Sequence, residues 1–489
     1  MRLQRDNLFV RLLGATDDER GWVKRVLNYD IRGAGSRYGG QPFAVYDVMN
    51  DRFPAGLLPD IGRAAQRDEV ALEVVDLRAP MPTPSGVVPR WLDASQLEAM
   101  EASIKFGRGI LQHATGAGKT ELFVAMAGVV WPTEPALFLA PRAQLAIQAR
   151  ERWALRASEG HVPAEETGLL AEGEKTVRRV TFGTFQTVHA GLTAGVPACL
   201  ALLERVVLLA GDECHTAAAD TFFPVLMGTP RARLRFGLSA TPLQRHDERG
   251  VLTLGAFGPV IHKVSAPDLV TTGRLVAPVI EMHALKQIAM RAHPRDTAPG
   301  RVCTGCPAID DEPCADDCAT MDPRSGIFQR VYRELVVEST PRNELLVQLI
   351  AQAPKPALVF VKNLDHAKYL AAMLARAVGS VRVVNGSKST AQRERVVQEL
   401  QRHELDVAVA TSVWEAGVDI PELRTVVNAG AGASSIRSVQ MLGRGLRGAE
   451  GKDAALMIDI LDQGEPSLER HARQRRKAYK AEGFEVVER

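Results

Sequence analysis

The sequence predicts an α/β protein with two tandem parallel-sheet domains, a small N-terminal accessory domain and a four-cysteine insertion. Three observations lead to this prediction. Apolar runs of strand length alternate with helical stretches, as parallel α/β sheets require. The chain has 489 residues, which exceeds what one hydrophobic core supports. A glycine-rich loop and an acidic strand end occur in the first half, whereas the second half has no such loop of its own.

The glycine-rich loop ATGAGKT has a composition that suits a phosphate chain. Gly116 and Gly118 let backbone N–H groups approach β- and γ-phosphates, because no Cβ blocks them. Lys119 supplies a positive charge for these phosphates, and Thr120 supplies a hydroxyl for Mg²⁺. His113 occupies the place of the usual first glycine, so the match to GxxxxGK[ST] is imperfect. The residues predicted to hold the nucleotide are Thr115, Gly116, Ala117, Gly118, Lys119 and Thr120.

An apolar run at residues 205–210 leads into the acidic sequence DECH. A continuous apolar run of this length is typical of a central parallel strand that is buried on both faces. Its carboxyl end lies at the crevice where open α/β sheets bind ligands, which places Asp212 and Glu213 in that crevice. We expect Asp212 to hold Mg²⁺ through water, and Glu213 to orient and deprotonate the attacking water.

These two elements belong to a longer series of motifs that resembles the superfamily 2 helicases and translocases over about four hundred residues. Gln96 lies where the family has an adenine-reading glutamine, and the sequence QMLGRGLR fits the family's motif VI, QxxGRxxR. The resemblance implies two RecA-like domains that share one nucleotide. It also implies nucleotide contacts at Gln96, Gly417 and Asp419, coupling residues at His215, Ser239, Thr241 and Gln440, and nucleic-acid contacts at Pro141, Arg142, Gln148, Thr184, Gln186, Asn363 and Thr411.

Arg444 and Arg447 lie in motif VI, more than two hundred residues after Glu213. In the transition state of γ-phosphoryl transfer, charge spreads over the equatorial oxygens, and a guanidinium placed there lowers the barrier. Arginine suits this position because its planar fork meets phosphate oxygens at two points and stays protonated. We therefore expect both arginines to reach ATP across a cleft and to act with Lys119, Asp212 and Glu213.

The composition restricts the class of protein. Hydrophobic residues make up 46% of the chain, which is enough for packed cores, and the net charge of +2 leaves nucleic-acid contact to local patches. The six cysteines do not have the pattern of a secreted disulfide framework. No apolar run approaches eighteen residues, and the N-terminus has no apolar signal segment. We therefore expect a cytoplasmic protein without membrane contact.

Four segments are expected along the chain. Residues 1–87 form an accessory domain that ends in a proline-rich linker. This domain is similar to the N-terminal domain of UvsW-type phage recombination helicases, where it helps bind duplex DNA; a purely structural cap is the alternative. Residues 88–285 are expected to form the first RecA-like domain, residues 286–325 the cysteine-rich insertion, and residues 326–489 the second RecA-like domain.

The insertion carries Cys303, Cys306, Cys314 and Cys318, with the spacing CxxC, seven residues, CxxxC. Four thiolates this close can make a tetrahedral metal site. Metal binding would supply the folding free energy of a polar segment that cannot form a core by itself. A structural Zn²⁺ site is the favoured interpretation, with an iron–sulfur cluster and redox thiols as alternatives.

The resemblance implies an ATP-dependent DNA helicase or translocase that uses ATP and Mg²⁺. Its expected partner is duplex, forked or branched DNA, in repair, recombination or replication; RNA is a possible partner, and the sequence does not identify the protein partners. Three alternatives stay open: an RNA-stimulated unwinder, an ATP-switched nucleic-acid sensor or scaffold without unwinding, and a restriction or nuclease subunit with a partner chain. The full set of hydrolytic residues is evidence against the sensor or scaffold.

Overall fold

The computed structural model describes residues 1–27, 45–218, 221–243, 250–286, 323–411, 420–432, 452 and 454–489. They form two compact units, Met1–Ser265 and Ala266–Arg489. Among these residues no single helix is long and apolar enough to cross a membrane, although one pair of helices, bent by 114°, meets the criteria of length and composition jointly.

A small sheet with two helices opens the first unit. Its elements are β1 (Arg2–Arg5), β2 (Phe9–Leu13), α1 (Asp17–Val26), β3 (Arg52–Pro54), α2 (Leu58–Arg67) and β4 (Glu73–Asp76). The strand order is β3-β2-β1-β4, and only the pair β1 and β4 is parallel. Helix α1 begins at a capping box, in which Thr16 and Glu19 each accept a hydrogen bond from the other's backbone N–H.

An eight-stranded sheet forms the rest of the first unit. Its elements are α3 (Ala94–Phe106), β5 (Arg108–His113), α4 (Lys119–Ala125), β6 (Ala136–Ala140), α5 (Ala143–Ser158), β7 (Gly168–Ala171), β8 (Glu174–Thr176), β9 (Val180–Thr184), α6 (Phe185–Thr193), α7 (Pro197–Arg205), β10 (Leu208–Asp212), α8 (Phe222–Met227), β11 (Leu234–Ser239), α9 (Gly250–Phe257) and β12 (Val260–Val264). The order is β12-β5-β11-β10-β6-β9-β7-β8, and all neighbours except β7 and β8 are parallel.

The central strands of this sheet are buried along their whole length, as expected for a parallel sheet that is covered by helices on both faces. Successive residues of β6 enter different hydrophobic clusters. Phe138 packs in one cluster, and Leu137 and Leu139 pack in the other. The continuous apolar runs of the sequence therefore correspond to strands with two buried faces.

The small sheet packs on helix α9 through Gly56, which follows β3. A Cβ at Gly56 would lie 2.0 Å from the carbonyl oxygen of Leu254 and 2.5 Å from that of Gly255. Both oxygens belong to the backbone, so neither can move aside as a side chain could. The two parts of the first unit thus meet backbone to backbone at this glycine.

We expect Gly56→Ala to lower the free energy of unfolding of the first unit by about 1–3 kcal/mol, because the added methyl group must displace helix α9. The matched control is Gly62→Ala in helix α2, where nothing lies within 4 Å of a Cβ. Alanine at that helical position should instead stabilise the protein by about 0.5–1 kcal/mol. Calorimetry of both variants checks the prediction, and an unchanged stability of Gly56→Ala would contradict the packing.

The second unit contains a seven-stranded sheet. Its elements are α10 (Ala266–Thr271), β13 (Ala277–Lys286), α11 (Pro323–Tyr332), α12 (Thr340–Gln352), β14 (Ala357–Phe360), α13 (Leu364–Leu374), β15 (Val381–Val384), α14 (Thr390–Gln401), β16 (Val407–Ala410), β17 (Thr425–Asn428), β18 (Ala454–Gln463), α15 (Pro466–Ala481) and β19 (Val486–Glu488). The order is β15-β16-β14-β17-β18-β13-β19, with every neighbouring pair parallel. The predicted fold class, two tandem parallel-sheet domains with a small N-terminal sheet, is confirmed.

The boundary between the units differs from the expected one. We expected the first RecA-like domain to extend to residue 285, whereas the first compact unit ends at Ser265. Strand β13 belongs to the second sheet, where it pairs with β18 over ten residues, from Ala277 opposite Ala454 to Lys286 opposite Gln463. The partner of β13 comes more than 150 residues later in the chain, so local sequence did not indicate the pairing.

Candidate nucleotide site

The phosphate loop, the DECH sequence and the SAT sequence lie at one edge of the first sheet. Strand β5 ends at His113, β10 ends at Asp212 and β11 ends at Ser239. Because β11 pairs in parallel with both β5 and β10, the carboxyl ends of the three strands are adjacent. This edge is where open α/β sheets bind their ligands.

The loop after β5 requires its glycines. Gly116 and Gly118 have φ angles of +91° and +77°, in the left-handed region that L side chains rarely adopt. Gly118 immediately precedes helix α4, which begins at Lys119. The Lys119 Nζ atom donates a hydrogen bond to the carbonyl oxygen of His113 at 3.2 Å, so the ammonium group is folded back over the loop.

Gln96 connects helix α3 to this loop. It is buried, and its Nε2 donates to the carbonyl oxygen of Ala117 at 3.1 Å. Its Oε1 accepts from the backbone N–H of Asp93 at 3.1 Å, which completes the capping box of α3. In this structure the Gln96 amide therefore positions the phosphate loop.

Asp212 has the environment of a ligand for a hard cation. Its side chain is buried, and its Oδ1 has no hydrogen-bond partner among the described residues. Burial, followed by the adjacent carboxylate of Glu213, raises the pKa of Asp212 to about 6, although Lys119 acts in the opposite direction. A divalent cation would offset this repulsion and use the unpaired oxygen, so the residues fit Mg²⁺, with Asp212 and the Thr120 hydroxyl as candidate ligands.

Glu213, His215 and Ser239 form a chain of side chains. The Nδ1 atom of His215 lies 3.3 Å from Glu213 Oε2 and 3.1 Å from Ser239 Oγ, which also accepts from the Thr241 backbone N–H at 3.2 Å. Glu213 has a φ angle of +47°, which is strained for a residue with a side chain and typical of functional sites. The acidic motif and the SAT sequence are thus in direct contact.

Two supporting contacts had no signal in the sequence. His113, in place of the usual glycine, lies with its Nε2 2.9 Å from His262 Nδ1 on strand β12. Thr253 on helix α9 donates from Oγ1 to the carbonyl oxygen of Cys214 at 3.2 Å, which holds the backbone of the acidic motif. Burial raises the pKa of the Cys214 thiol well above its usual range, so this cysteine is not a reactive thiolate.

The candidate nucleic-acid contacts of the first unit lie on two neighbouring strand ends. Strands β6 and β9 pair with Ala140 opposite Thr184. Gln186 donates from Nε2 to the carbonyl oxygen of Pro141 at 3.0 Å, and the side chains of Arg142 and Gln186 are exposed. Gln148, further along helix α5, is half-buried.

Two candidate contacts lie in the second unit. Asn363 and Thr411 follow the neighbouring strands β14 and β16, so they share one edge of the second sheet. Asn363 also caps helix α13, since its Oδ1 accepts from the backbone N–H of His366 at 2.8 Å. Thr411 is buried.

The remaining predicted site residues lie outside the described part of the chain: Gly417, Asp419, Gln440, Arg444, Arg447, Cys303, Cys306, Cys314 and Cys318. Within the described ranges, no group of three or more His, Cys, Asp or Glu side chains is arranged to hold a metal ion.

Two known families match the chain in the order of its two units. Residues 89–244 match the res subunit of type III restriction enzymes, and residues 341–449 match the helicase conserved C-terminal domain. The first match contains the phosphate loop and the DECH sequence, and the second contains the QMLGRGLR sequence.

Individual relatives agree with these matches. DNA 3'-5' translocase XPB2 of Sulfurisphaera tokodaii is 23% identical over 382 residues, 76% of this chain and 81% of that protein. ATP-dependent DNA helicase uvsW of Enterobacteria phage T4 is 21% identical over 387 residues, 77% of this chain and 69% of that protein. A solved fragment of a putative HsdR subunit of a type I restriction enzyme from Vibrio vulnificus YJ016 shares the fold, with a TM-score of 0.55 at 19% identity over 83% of this chain and 69% of that one.

The chain spans 43% to 56% of the length of several other relatives, which include putative helicase 22 of a Sulfolobus islandicus filamentous virus. The resemblance drawn from the motifs is confirmed by the two family matches and by these relatives. The chain belongs to the superfamily 2 helicases and is related to the UvsW and XPB proteins.

Proposed function

We propose that the chain is an ATP-dependent DNA helicase or translocase that acts on duplex or branched DNA. The observation that carries the proposal is the junction of Lys119, Asp212 and Glu213 at the carboxyl edge of one parallel sheet. The XPB2 and uvsW relatives, which are named as a DNA translocase and a DNA helicase, favour DNA as the substrate.

In the proposed reaction, the loop and Lys119 would hold the β- and γ-phosphates of ATP, and Asp212 with Thr120 would hold Mg²⁺. When bound, Mg²⁺ neutralises charge on the phosphate oxygens. Glu213 takes a proton from water as the water oxygen attacks the γ-phosphorus, and the bond to the ADP oxygen breaks. A movement of Glu213 on hydrolysis would then be transmitted through His215 to Ser239 in the SAT sequence, because these side chains are in contact.

The second unit is proposed to complete the site with Arg444 and Arg447, which would stabilise the charge that develops on the transferred phosphoryl group. Gln440, Gly417 and Asp419 would support this contact. Closure on ATP and opening after hydrolysis would move the two units along the nucleic acid. Arg142, Gln186 and their neighbours would hold backbone phosphates, so binding should weaken steeply as the salt concentration rises.

The test of the proposal is the ATP turnover of the purified protein with forked DNA, duplex DNA and single-stranded RNA. We expect DNA to stimulate turnover at least about tenfold more than RNA does. Arg142→Gln should raise the DNA concentration needed for half-maximal stimulation, whereas Arg205→Gln, an exposed residue at the end of helix α7, should not. Preferential stimulation by RNA would instead support an RNA-stimulated unwinder, and turnover independent of any nucleic acid would contradict the proposal.

The raised pKa of Asp212, about 6, predicts how Mg²⁺ dependence changes with pH. Below pH 6 the carboxyl group is mainly protonated and must release its proton to bind the cation. The Mg²⁺ concentration for half-maximal turnover should therefore be nearly constant above pH 7 and rise by up to about tenfold per unit as pH falls below 6. Mg²⁺ titrations between pH 5.5 and 8 at constant ionic strength measure this, and a requirement that does not change with pH would contradict the ligand role of Asp212.

For the insertion we propose a structural Zn²⁺ bound by Cys303, Cys306, Cys314 and Cys318. Metal analysis should find about one Zn²⁺ per chain, and Cys306→Ser should lose it. Cys199→Ala is the control, because Cys199 is a buried cysteine of the first unit. Iron together with a visible absorption band would identify a cluster instead, and a metal-free protein would contradict the proposal.

A further inference from the structure

Four arginines meet where the small N-terminal sheet joins the first parallel sheet. Arg5 ends strand β1, Arg108 begins β5, and Arg233 immediately precedes β11. Arg78 follows β4, whose residue Asp76 lies directly opposite Arg5. We refer to Arg5, Arg78, Arg108 and Arg233 as the arginine cluster.

The arginine cluster lies away from the nucleotide site. Strand β5 runs from Arg108 in the cluster to His113 at the phosphate loop. Five residue steps of about 3.3 Å separate the two by roughly 17 Å. An anion bound at the arginine cluster would therefore be distinct from the phosphates of ATP.

Hydrogen bonds hold these guanidinium groups between the two sheets. Arg108 donates from Nη2 to the carbonyl oxygens of Asn7 at 2.9 Å and Ala256 at 3.2 Å, which joins strand β5 to the N-terminal sheet. Arg233 donates from Nε to the carbonyl oxygen of Ala79 at 3.2 Å. Arg108 and Arg233 thus each contact the N-terminal segment of the chain, through Asn7 and Ala79, and neither guanidinium can move into solvent without breaking these bonds.

The same guanidinium groups keep unpaired donors. The Nε atoms of Arg5 and Arg108 and the Nη1 atom of Arg233 are buried and have no hydrogen-bond partner among the described residues. Arg108 as a whole is 8% exposed. Unpaired buried donors on charged groups are strongly unfavourable, so their presence in three neighbouring arginines indicates a missing acceptor.

The charge balance of the arginine cluster also indicates a missing anionic acceptor. The carboxylate of Asp76 lies beside the cluster, among the residues that the structure describes. It accepts from Arg78 Nε at 2.8 Å through Oδ1 and at 3.0 Å through Oδ2. Burial, and then the neighbouring Arg78, lowers the pKa of Arg5 to about 10, and burial with the surrounding arginines lowers the pKa of Arg108. Guanidinium groups stay protonated in proteins, so about three positive charges remain uncompensated.

Arg235 shows that the fold can satisfy a buried arginine without a ligand. It lies opposite Arg108 in the sheet and is 1% exposed. Its three nitrogens donate to the carbonyl oxygen of Ala256 at 3.1 Å, to Thr229 Oγ1 at 2.8 Å and to the carbonyl oxygen of Leu226 at 2.6 Å. The arginine cluster therefore differs from a purely structural arginine in its unpaired donors.

We propose that the arginine cluster binds a phosphate-class anion, either free phosphate or a phosphate group of a nucleic-acid strand. Guanidinium forks match the oxygens of a phosphate in geometry, and the negative charge of the phosphate offsets part of the excess positive charge. The bound group would accept hydrogen bonds from both sheets at once. It would thereby strengthen the attachment of the N-terminal sheet to the ATPase sheet, whether or not the chain moves along DNA.

The experiment is thermal unfolding in increasing inorganic phosphate at constant ionic strength, with chloride as the balancing anion. It uses the full chain with Lys119→Ala, which removes phosphate binding at the nucleotide loop. We expect a saturable rise of about 3–5 °C in the unfolding temperature of the first unit at roughly ten times the dissociation constant. Adding Arg233→Gln should abolish the rise, and adding Arg63→Gln should leave it unchanged.

Asp76→Asn is a second variant whose effect has the opposite sign. It removes the neutralising carboxylate, so phosphate should saturate at a several-fold lower concentration. The source of the phosphate is distinguished with a short DNA duplex. If the group belongs to DNA, Arg233→Gln should weaken duplex binding and reduce by about 1 the slope of the logarithm of the binding constant against the logarithm of the salt concentration. If the group is free phosphate, duplex binding should not change. No phosphate-dependent rise in the Lys119→Ala chain, or an equal rise with Arg233→Gln, would overturn the proposal.

Discussion

Glu213→Gln is expected to reduce ATP turnover by about 10²- to 10⁴-fold, because the amide cannot accept the proton of the attacking water. ATP binding should be retained, because the amide keeps the shape of the side chain. Glu213 lies at the strand end beside Asp212, in a strained backbone conformation that directs its carboxylate to His215. The change leaves the loop and Lys119 untouched, so the affinity for ATP should stay within about threefold of the original.

Single-turnover hydrolysis and equilibrium ATP binding measure the two quantities separately. The matched control is Glu204→Gln, an exposed glutamate at the end of helix α7, which should hydrolyse ATP at the original rate. Equal turnover in the Glu213→Gln variant and the original protein would remove the base from the proposed reaction, and with it the enzymatic function of the site.

The second large effect concerns stability. Arg475 and Asp459 form a fully buried ion pair in the second unit, with Arg475 Nε 2.8 Å from Asp459 Oδ2. Tyr479 donates to the same oxygen at 2.8 Å, and Arg475 also donates from Nη1 to the carbonyl oxygen of Gly432 at 2.8 Å. The pair thus joins helix α15 to strand β18 and to the chain segment that leads into motif VI.

Arg475→Met should lower the free energy of unfolding of the second unit by about 3–5 kcal/mol, because it leaves the Asp459 carboxylate buried without its countercharge. Arg473→Met is the matched control on the same helix: the Arg473 side chain is 67% exposed and pairs with Glu469 at the surface. That change should alter stability by no more than about 1 kcal/mol. Calorimetry of the full chain reports both, and similar stability of the two variants would contradict the structural importance of the buried pair.

The sequence predicted those parts of the site that short, contiguous motifs indicate, and it did not predict contacts between residues far apart in the chain. The loop around Lys119 and the strand end at Asp212 are short motifs, and the rule that parallel strands bind ligands at their carboxyl ends placed them together. The contact between His113 and His262 joins residues 149 positions apart, and nothing near either residue signals it. The arginine cluster has the same origin, since its members come from four separate segments.

The boundary of the first unit shows a second limit. Strand β13 has an ordinary strand pattern, but that pattern does not state which sheet it enters, and its partner β18 follows far along the chain. Asn363 shows a third limit of prediction from sequence. This asparagine, which was expected to contact nucleic acid, caps helix α13, because the backbone N–H at the start of the helix needs an acceptor. Motif matching identifies a position, and the surrounding backbone determines how many functions the residue serves.

We propose that ATP hydrolysis at Lys119, Asp212 and Glu213 moves this chain along DNA. The most direct measurement is release of a triplex-forming strand from a DNA duplex, which requires movement along the duplex without separation of its strands. We predict rapid release with ATP and Mg²⁺, and none with a non-hydrolysable ATP analogue or with the Lys119→Ala variant. Duplex-stimulated ATP hydrolysis without any release of the third strand would contradict the claim.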